Sequence, residues 1–354
     1  MLRKRWIDLL YSLRSRPSGI RNIHKVKNRS SRKIQLTLRL ILSGGLLTAI
    51  LMTINVDETI QLVGQSNLIL LVVAALVLLT VRIVTALRWF VLLRAYGVEI
   101  PYSAVLRITF ISTAVGQFIP GGADAVSIYQ VFKESGKLSE ISVAVLLDRL
   151  FGIAAMLIIA TAGVYVAVED AWIRNLVLTI AICFVLILLL STRLIRSNFL
   201  RKFLSGQLKS RFHRVARGAI HVVEIVSDRS TLEKAIGPIV LASIAVQLLR
   251  ISAFSAIYAS LGAEIPIIYF VAFVPLVYLV MSFPISIAGL GVRESALVVL
   301  FGTVGVAAEI SVAAGLLVPL LLLIGVFPGL ILISAGSSTS RRDATNLAST
   351  DNHK

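Results

Sequence analysis

Long apolar runs joined by short polar stretches dominate the chain. Ile34 to Ile54, Leu68 to Leu93, Ile141 to Val168, Leu176 to Leu194, Gly237 to Leu261 and Ala308 to Ala335 are each near or above the roughly 20 residues a helix needs to cross a bilayer. Each is therefore predicted to be a membrane-crossing helix. A seventh apolar run, Ile265 to Phe283, is interrupted by Pro266 and Pro275, and the last helix is expected to kink at Pro319 and Pro328.

Two stretches break this pattern. Between Tyr102 and Lys137, the apolar pieces Val105 to Ile119 and Ala125 to Phe132 are too short to span and are separated by Pro120, Gly121 and Gly122. Between Ser282 and Ser295, Pro284, Gly289 and Gly291 interrupt apolar sequence and are followed by the charged neighbours Arg293 and Glu294. The two breaks share a layout: an aromatic and a proline, two glycines, an acid (Asp124; Glu294), then a resumed apolar half-helix. Irregular backbone at membrane depth is tolerated where protein or a wet cavity satisfies its polar groups, so each break reads as the tip of a re-entrant helical hairpin. Taken as a cytoplasmic hairpin, 284 to 306 puts the C-terminal tail outside, whereas Arg341 and Arg342 favour the inside, so the side of the C-terminus stays open. The fold class is an all-α polytopic membrane protein with about six full transmembrane helices and two re-entrant hairpins. The paired breaks are compatible with an inverted repeat.

The remaining segments are basic. Residues 1 to 33 carry a helical stripe of Trp6, Ile7, Leu9, Leu10 and Leu13, which suits either a surface helix or a topogenic tail. Residues 195 to 236 form a basic amphipathic cytoplasmic loop, with Phe199, Phe203, Leu208, Phe212 and Val215 at helical steps. The tail, 336 to 354, is polar.

Composition agrees with a membrane protein: 57% of residues are hydrophobic, 15% are charged, and the mean hydropathy is +0.90. The net charge of +17 would suggest nucleic acid if it were spread over the surface. It is not: residues 1 to 35 supply +10 and residues 193 to 236 supply +7, leaving the rest neutral. Charge confined to segments flanking membrane spans is a positive-inside signature, and its expected partners are the anionic headgroups of membrane lipids. It sets the N-terminus in the cytoplasm and the protein in the inner membrane. The lone cysteine, Cys183, lies in an apolar run, and the four histidines lie in polar segments, so no disulfide, metal site or cofactor is expected. No cleavable leader is read at the N-terminus.

Ionisable residues inside the predicted spans are candidate site residues, because each needs an opposite charge or a wet cavity. They are Arg82, Asp148, Arg149 and Arg250, joined at the breaks by Asp124, Arg293 and Glu294. Arg88, near the inner end of its helix, is expected to snorkel to the interface. A half-helix that begins inside the bilayer offers free amides and the positive end of its dipole, which favour an anion such as phosphate. Glycines at such a start allow close approach of the ligand. The structural alternative is that Asp148 with Arg149 and Arg293 with Glu294 are charges locked to partners that fasten the bundle. No histidine lies near a break and the acids are scattered, so enzyme activity is not expected.

Arg88-Trp89, the Phe118 to Asp124 hinge, Asp148-Arg149 and, above all, Pro284 followed by Gly289-Leu290-Gly291-Val292-Arg293-Glu294 resemble the transmembrane region of lysyl-phosphatidylglycerol synthases and their stand-alone, flippase-like relatives. The resemblance runs from about Ile34 to Ala335. It implies movement of a lipid between leaflets by a chain without the synthase domain, working with a separate lipid-modifying enzyme. One departure stands out. The family hinge often continues Gly-Asp/Glu-x-x-Arg, whereas this chain has Ala123 before Asp124 and Ser127 at the arginine position. The anion contact expected there passes to Arg82, Arg250 or Arg293.

The expected function is translocation of an anionic or modified phospholipid, or a polyprenyl-phosphate-linked lipid, through a midplane site. A carrier or channel for a small anion and a non-transporting membrane scaffold are the alternatives. A homo-oligomer is compatible with each.

Overall fold

The computed structural model describes residues 44–46, 48–50, 52–118, 122–196, 233, 235–282 and 289–322. Among these every regular element is a helix: α1 Val56–Gly64, α2 Leu68–Ala95, α3 Tyr102–Phe118, α4 Gly122–Ser135, α5 Leu138–Ala167, α6 Ala171–Arg196, α7 Ile236–Ser260, α8 Ile267–Met281, α9 Val292–Gly302 and α10 Ala308–Leu322. Four are long and apolar enough to cross a membrane: α2, α5, α6 over Ala171–Leu188, and α7. The chain is a multi-pass membrane protein. The N-terminal basic segment, most of the first expected span, most of the basic loop, Pro120, Gly121, Pro284, Pro328 and the polar tail lie outside the described residues.

Local chemistry sets the helix boundaries. The connection after the first expected span is itself helical: the Asn55 side chain caps α1 by accepting from the Glu58 amide, and Asp57 and Glu58 sit at the favourable N-terminal end of the dipole. Asn67 caps α2 by accepting from the Ile69 and Leu70 amides. Gly97 and Gly136, both with φ near +70°, end the helices at one pole of the molecule. There Lys137 Nζ donates to the Gly97 carbonyl at 2.7 Å, joining the α2–α3 and α4–α5 connections.

Packing makes α7 central and α6 peripheral. Of the apolar spanning window, 44% is buried in α7 but only 6% in α6, whose Leu178, Ile182, Leu186 and Leu190 face outward toward lipid. Helices α2 and α7 run antiparallel. At one end the Asn67 amide donates to the Ser260 carbonyl (2.8 Å), and farther along Arg88 Nη1 donates to Ser243 Oγ (3.2 Å). At the Asn67 end a buried aromatic cluster closes the bundle, with Tyr258 stacked on Phe301 at 4.6 Å and Phe270 and Phe273 each 5.2 Å from Phe301.

Helices α3 and α4 form the first expected hairpin. Three rungs at matching spacing fix it: Arg107 with Glu134 (3.5 Å), Ser112 Oγ with Ser127 Oγ (2.7 Å), and Gly116 against Ala123, where an added Cβ would come within 2.9 Å of the alanine methyl. Small residues at the rungs let the backbones approach, as in close-packed membrane helix pairs. Ser127 holds the two arms together through Ser112.

The second hairpin differs from expectation. Its arms are α8 and α9, not a 284 to 306 loop, and it opens toward the other pole. Phe270 and Phe273 near the start of α8 meet Phe301 at the end of α9, while the Gly289 Cα faces the Met281 side chain at the tip. With only 15 residues, or about 22 Å at 1.5 Å per residue, α8 stops short of a full crossing. It ends at Met281, and Gly289 and Gly291, at φ near +78°, a backbone region open to glycine at low cost, lead into α9. Consequently α10 starts at the aromatic pole, where the Asn55 amide donates to Glu309 (3.2 Å), and runs back into the bundle.

Basic residues collect at one pole. Arg94, Arg107, Lys133 and Lys137 lie at the pole that holds Gly97 and Gly136, together with the acids Glu99, Glu134 and Glu140. Asp57, Glu58, Glu169, Asp170, Glu264 and Glu309 lie at the aromatic pole, with Arg174 the basic exception there.

Candidate functional site

Both hairpin tips reach the middle of α5. Arg149 of α5 pairs with Asp124 of α4 at 2.7 Å, so stepping along the antiparallel pair sets Gly122, the start of α4, opposite about Phe151. Gly163 of α5 lies against Ala272 of α8 so closely that an added Cβ would stand 2.6 Å from the Ala272 amide nitrogen. The same stepping sets Met281, the end of α8, opposite about Ala154. Since α5 spans Leu138–Ala167, the two broken tips converge on its midpoint from opposite poles.

Asp148 and Arg149 of α5 do not pair with each other. Neighbours in sequence point to different sides of a helix, and each finds a partner on another element. Arg88 of α2 grips Asp148 with both ends of its guanidinium, Nε to Oδ1 at 2.7 Å and Nη2 to Oδ2 at 2.9 Å. Its third nitrogen donates to Ser243 of α7, which in turn donates to the Ile239 carbonyl. Gly152, one turn from Asp148, leaves the room: a Cβ there would touch both terminal guanidinium nitrogens at 3.7 Å. Arg88 is thus 6% exposed and ties three helices together. The expected snorkelling to the interface does not occur, because a carboxylate and a hydroxyl lie sideways within reach, and charge pairing inside the bundle replaces hydration outside it.

Arg293 and Glu294 are also self-contained. They are 1% and 0% exposed, and Glu294 Oε1 accepts from Arg293 Nη2 (2.8 Å) and Nε (3.2 Å). Glu294 Oε2 accepts from the Gly291 amide at 2.7 Å, reaching back to the start of its own helix and occupying a donor that the bare half-helix would otherwise offer to an anion. Gly315 of α10 makes the slot, since a Cβ there would come within 2.9 Å of Glu294 Cγ. This is the arrangement that the structural alternative describes. The Arg149–Asp124 pair differs, with side chains 55% and 43% exposed on the outer face of the hairpin.

Arg82 and Arg250 are the exceptions. No carboxylate pairs with either among the described residues. Arg250 of α7 lies over the Tyr278 ring of α8, 4.0 Å from its centroid, and its Nη1 is buried without a hydrogen-bond partner. At a similar depth α7 carries Gln247, 1% exposed, with neither Oε1 nor Nε2 hydrogen-bonded. Stepping from the Asn67–Ser260 and Arg88–Ser243 contacts sets Gln247 opposite Arg82, and each lies near the midpoint of its helix.

Besides the pairs Arg149–Asp124 and Arg293–Glu294, the bundle therefore contains at mid-depth three guanidiniums and one carboxylate that is already taken. An unsatisfied buried polar group costs about 1 to 3 kcal/mol, and a lone arginine at the centre of a bilayer at least about 2.5 kcal/mol. An anion set against Arg82 and Arg250 would relieve the charge cost, and a polar group of the same ligand reaching Gln247 would relieve the other. Tyr278 and the two arginines are half-buried, so the position is open on one side.

Sequence reading found Arg82 and Arg250 but missed Ser243, Gln247, Tyr278 and the buried role of Arg88. A signal was present. Ser243, Gln247 and Arg250 recur at steps of four and three along α7, a polar stripe on one face of an apolar helix.

A family model described as "Lysylphosphatidylglycerol synthase TM region" matches residues 36–329. A search of curated proteins returns no match.

Proposed function

Because the chain belongs to the lysylphosphatidylglycerol synthase TM region family, we propose that it moves an anionic lipid between membrane leaflets, with the lipid phosphate passing through the mid-depth site of Arg82, Arg250 and Gln247. One observation carries this reading: the guanidiniums of Arg82 and Arg250 lie at mid-depth without a carboxylate partner, beside a Gln247 amide with none of its hydrogen bonds made. A phosphate supplies the missing charge and acceptors for the guanidiniums, which leaves the Gln247 amide to the rest of the headgroup. The half-open flank suits a ligand whose headgroup enters the protein while its tails stay in lipid.

The two hairpins give the site a route to each side. Each tip ends near the midpoint of α5 and each hairpin opens to a different pole, so tilting one hairpin at a time would expose the site first to one leaflet and then to the other. The pole with Arg94, Arg107, Lys133 and Lys137 faces the cytoplasm under the positive-inside rule. The pairs Arg88–Asp148 and Arg293–Glu294 hold the frame in which this happens.

The test is leaflet exchange of headgroup-labelled lipids in proteoliposomes, comparing wild type with Arg250→Gln and Arg82→Gln. Exchange of an anionic lipid should fall at least about tenfold in each variant, the effect of removing one charge-assisted contact. Exchange that is unchanged in both variants refutes the site. Flux of inorganic phosphate without any lipid exchange would assign the protein to small-anion transport instead.

A further inference from the structure

Translocation of an anionic lipid leaves its headgroup open, and the unpaired groups at the site bear on it. Among the described residues no carboxylate pairs with Arg82 of α2 or Arg250 of α7, and Arg250 lies over the Tyr278 ring of α8. The carboxylate of Asp148 on α5 belongs to Arg88 of α2. Both carboxylate oxygens of Asp148 are held by Arg88. No anionic oxygen is free there to receive an ammonium group, and two positive charges stand unbalanced. Gln247 adds a neutral donor and a neutral acceptor, both buried and both without partners. An amide in this state is matched by a group that can accept and donate at once, which a hydroxyl does.

We infer that the ligand is a lipid phosphate bearing an uncharged, hydroxylated headgroup, its phosphate held by Arg82 and Arg250 and its hydroxyl by Gln247, and that the site disfavours the same headgroup once it carries an amino group. The inference rests on the anion-site reading above and sharpens it. It also runs against the simplest expectation from the family's description, because an aminoacylated headgroup brings a cation into a site that already has an excess of them. A phosphate with a free hydroxylated group but no acyl chains has the same recognition chemistry, so the test separates the two sources.

The experiment is equilibrium binding to the full-length protein in detergent by calorimetric titration. The probes are dihexanoyl phosphatidylglycerol, its lysyl ester, dihexanoyl phosphatidic acid and glycerol 1-phosphate. Phosphatidylglycerol should bind at least about tenfold more tightly than the lysyl ester, a margin set by one unfavourable charge contact. Gln247→Leu, which deletes orphaned polar atoms and therefore keeps the fold, should weaken phosphatidylglycerol by about five- to tenfold, the value of one hydrogen bond, and leave phosphatidic acid within about twofold. Arg250→Gln should weaken both.

Equal or tighter binding of the lysyl ester overturns the inference. So does a Gln247→Leu variant that binds phosphatidylglycerol as wild type does. Glycerol 1-phosphate binding as tightly as the lipid overturns the lipid source. The expected binding pattern together with no leaflet exchange in proteoliposomes would sink translocation while leaving the headgroup assignment standing.

Discussion

Arg88 offers the sharpest test of the packing. An arginine seven residues from the end of a spanning helix, if it reached the interface, would be hydrated and cheap to remove, at well under about 1 kcal/mol. In the structure it is not hydrated: the Arg88 and Asp148 side chains are 7% and 19% exposed and meet at 2.7 Å in a two-point contact. Removing one member of such a pair leaves the other charge buried and uncompensated, at a cost of about 3 to 5 kcal/mol. Arg88→Ala should therefore destabilise by an amount near that range, and Asp148→Asn by somewhat less, because an amide still accepts one of the two hydrogen bonds. The double variant Arg88→Met/Asp148→Leu removes both charges and fills the space. Ser243 keeps its bond to the Ile239 carbonyl, so no new orphan appears. That variant should fall within about 1 to 2 kcal/mol of wild type, since well-packed apolar replacements of buried pairs are often neutral. Unfolding in mixed micelles with rising SDS fraction, followed by circular dichroism, measures all three, and the resulting cycle should give a coupling of at least about 2 kcal/mol. Single variants that each cost less than about 1 kcal/mol, with additive effects, would refute the buried pair.

Three further outcomes follow from the geometry. Gly163→Ala should destabilise by about 1 to 3 kcal/mol in the same assay even though alanine favours helix by about 1 kcal/mol, because its methyl would collide with the Ala272 backbone at 2.6 to 2.7 Å. Glu294→Gln should cost about 3 to 5 kcal/mol by stranding the Arg293 charge in a fully buried setting, and a Gln variant as stable as wild type would remove the pair from the account. Single cysteines at Leu138 and Ala307, in a Cys183→Ser background, should label from opposite faces of oriented vesicles; labelling from one face would restore a second hairpin that opens on the same side as the first.

Hydrophobic pattern alone determined that this is a multi-pass helical membrane protein, and glycine and proline placement marked both breaks. Those features are local: a run of apolar residues has nowhere else to be buried, and a Pro-Gly-Gly joint stops a helix whatever surrounds it. The first hairpin was legible for that reason. The second was recognised as a break but assigned to the wrong arms, because a proline-interrupted run of about 19 residues is long enough to span, and only its packing on α5 and α9 shows where it stops. Charge partners were beyond reach for a related reason. Helical period tells which face a side chain occupies but not which helix faces it, and Arg88 meets partners 60 and 155 positions away. Chain neighbours such as Asp148 and Arg149 invite pairing on paper, yet α5 sends one to α2 and the other to α4. Gln247 looked unremarkable in sequence. It becomes a site residue only when α2 and α7 pack antiparallel and set it, with no hydrogen bond made, opposite an arginine at the centre of the bundle.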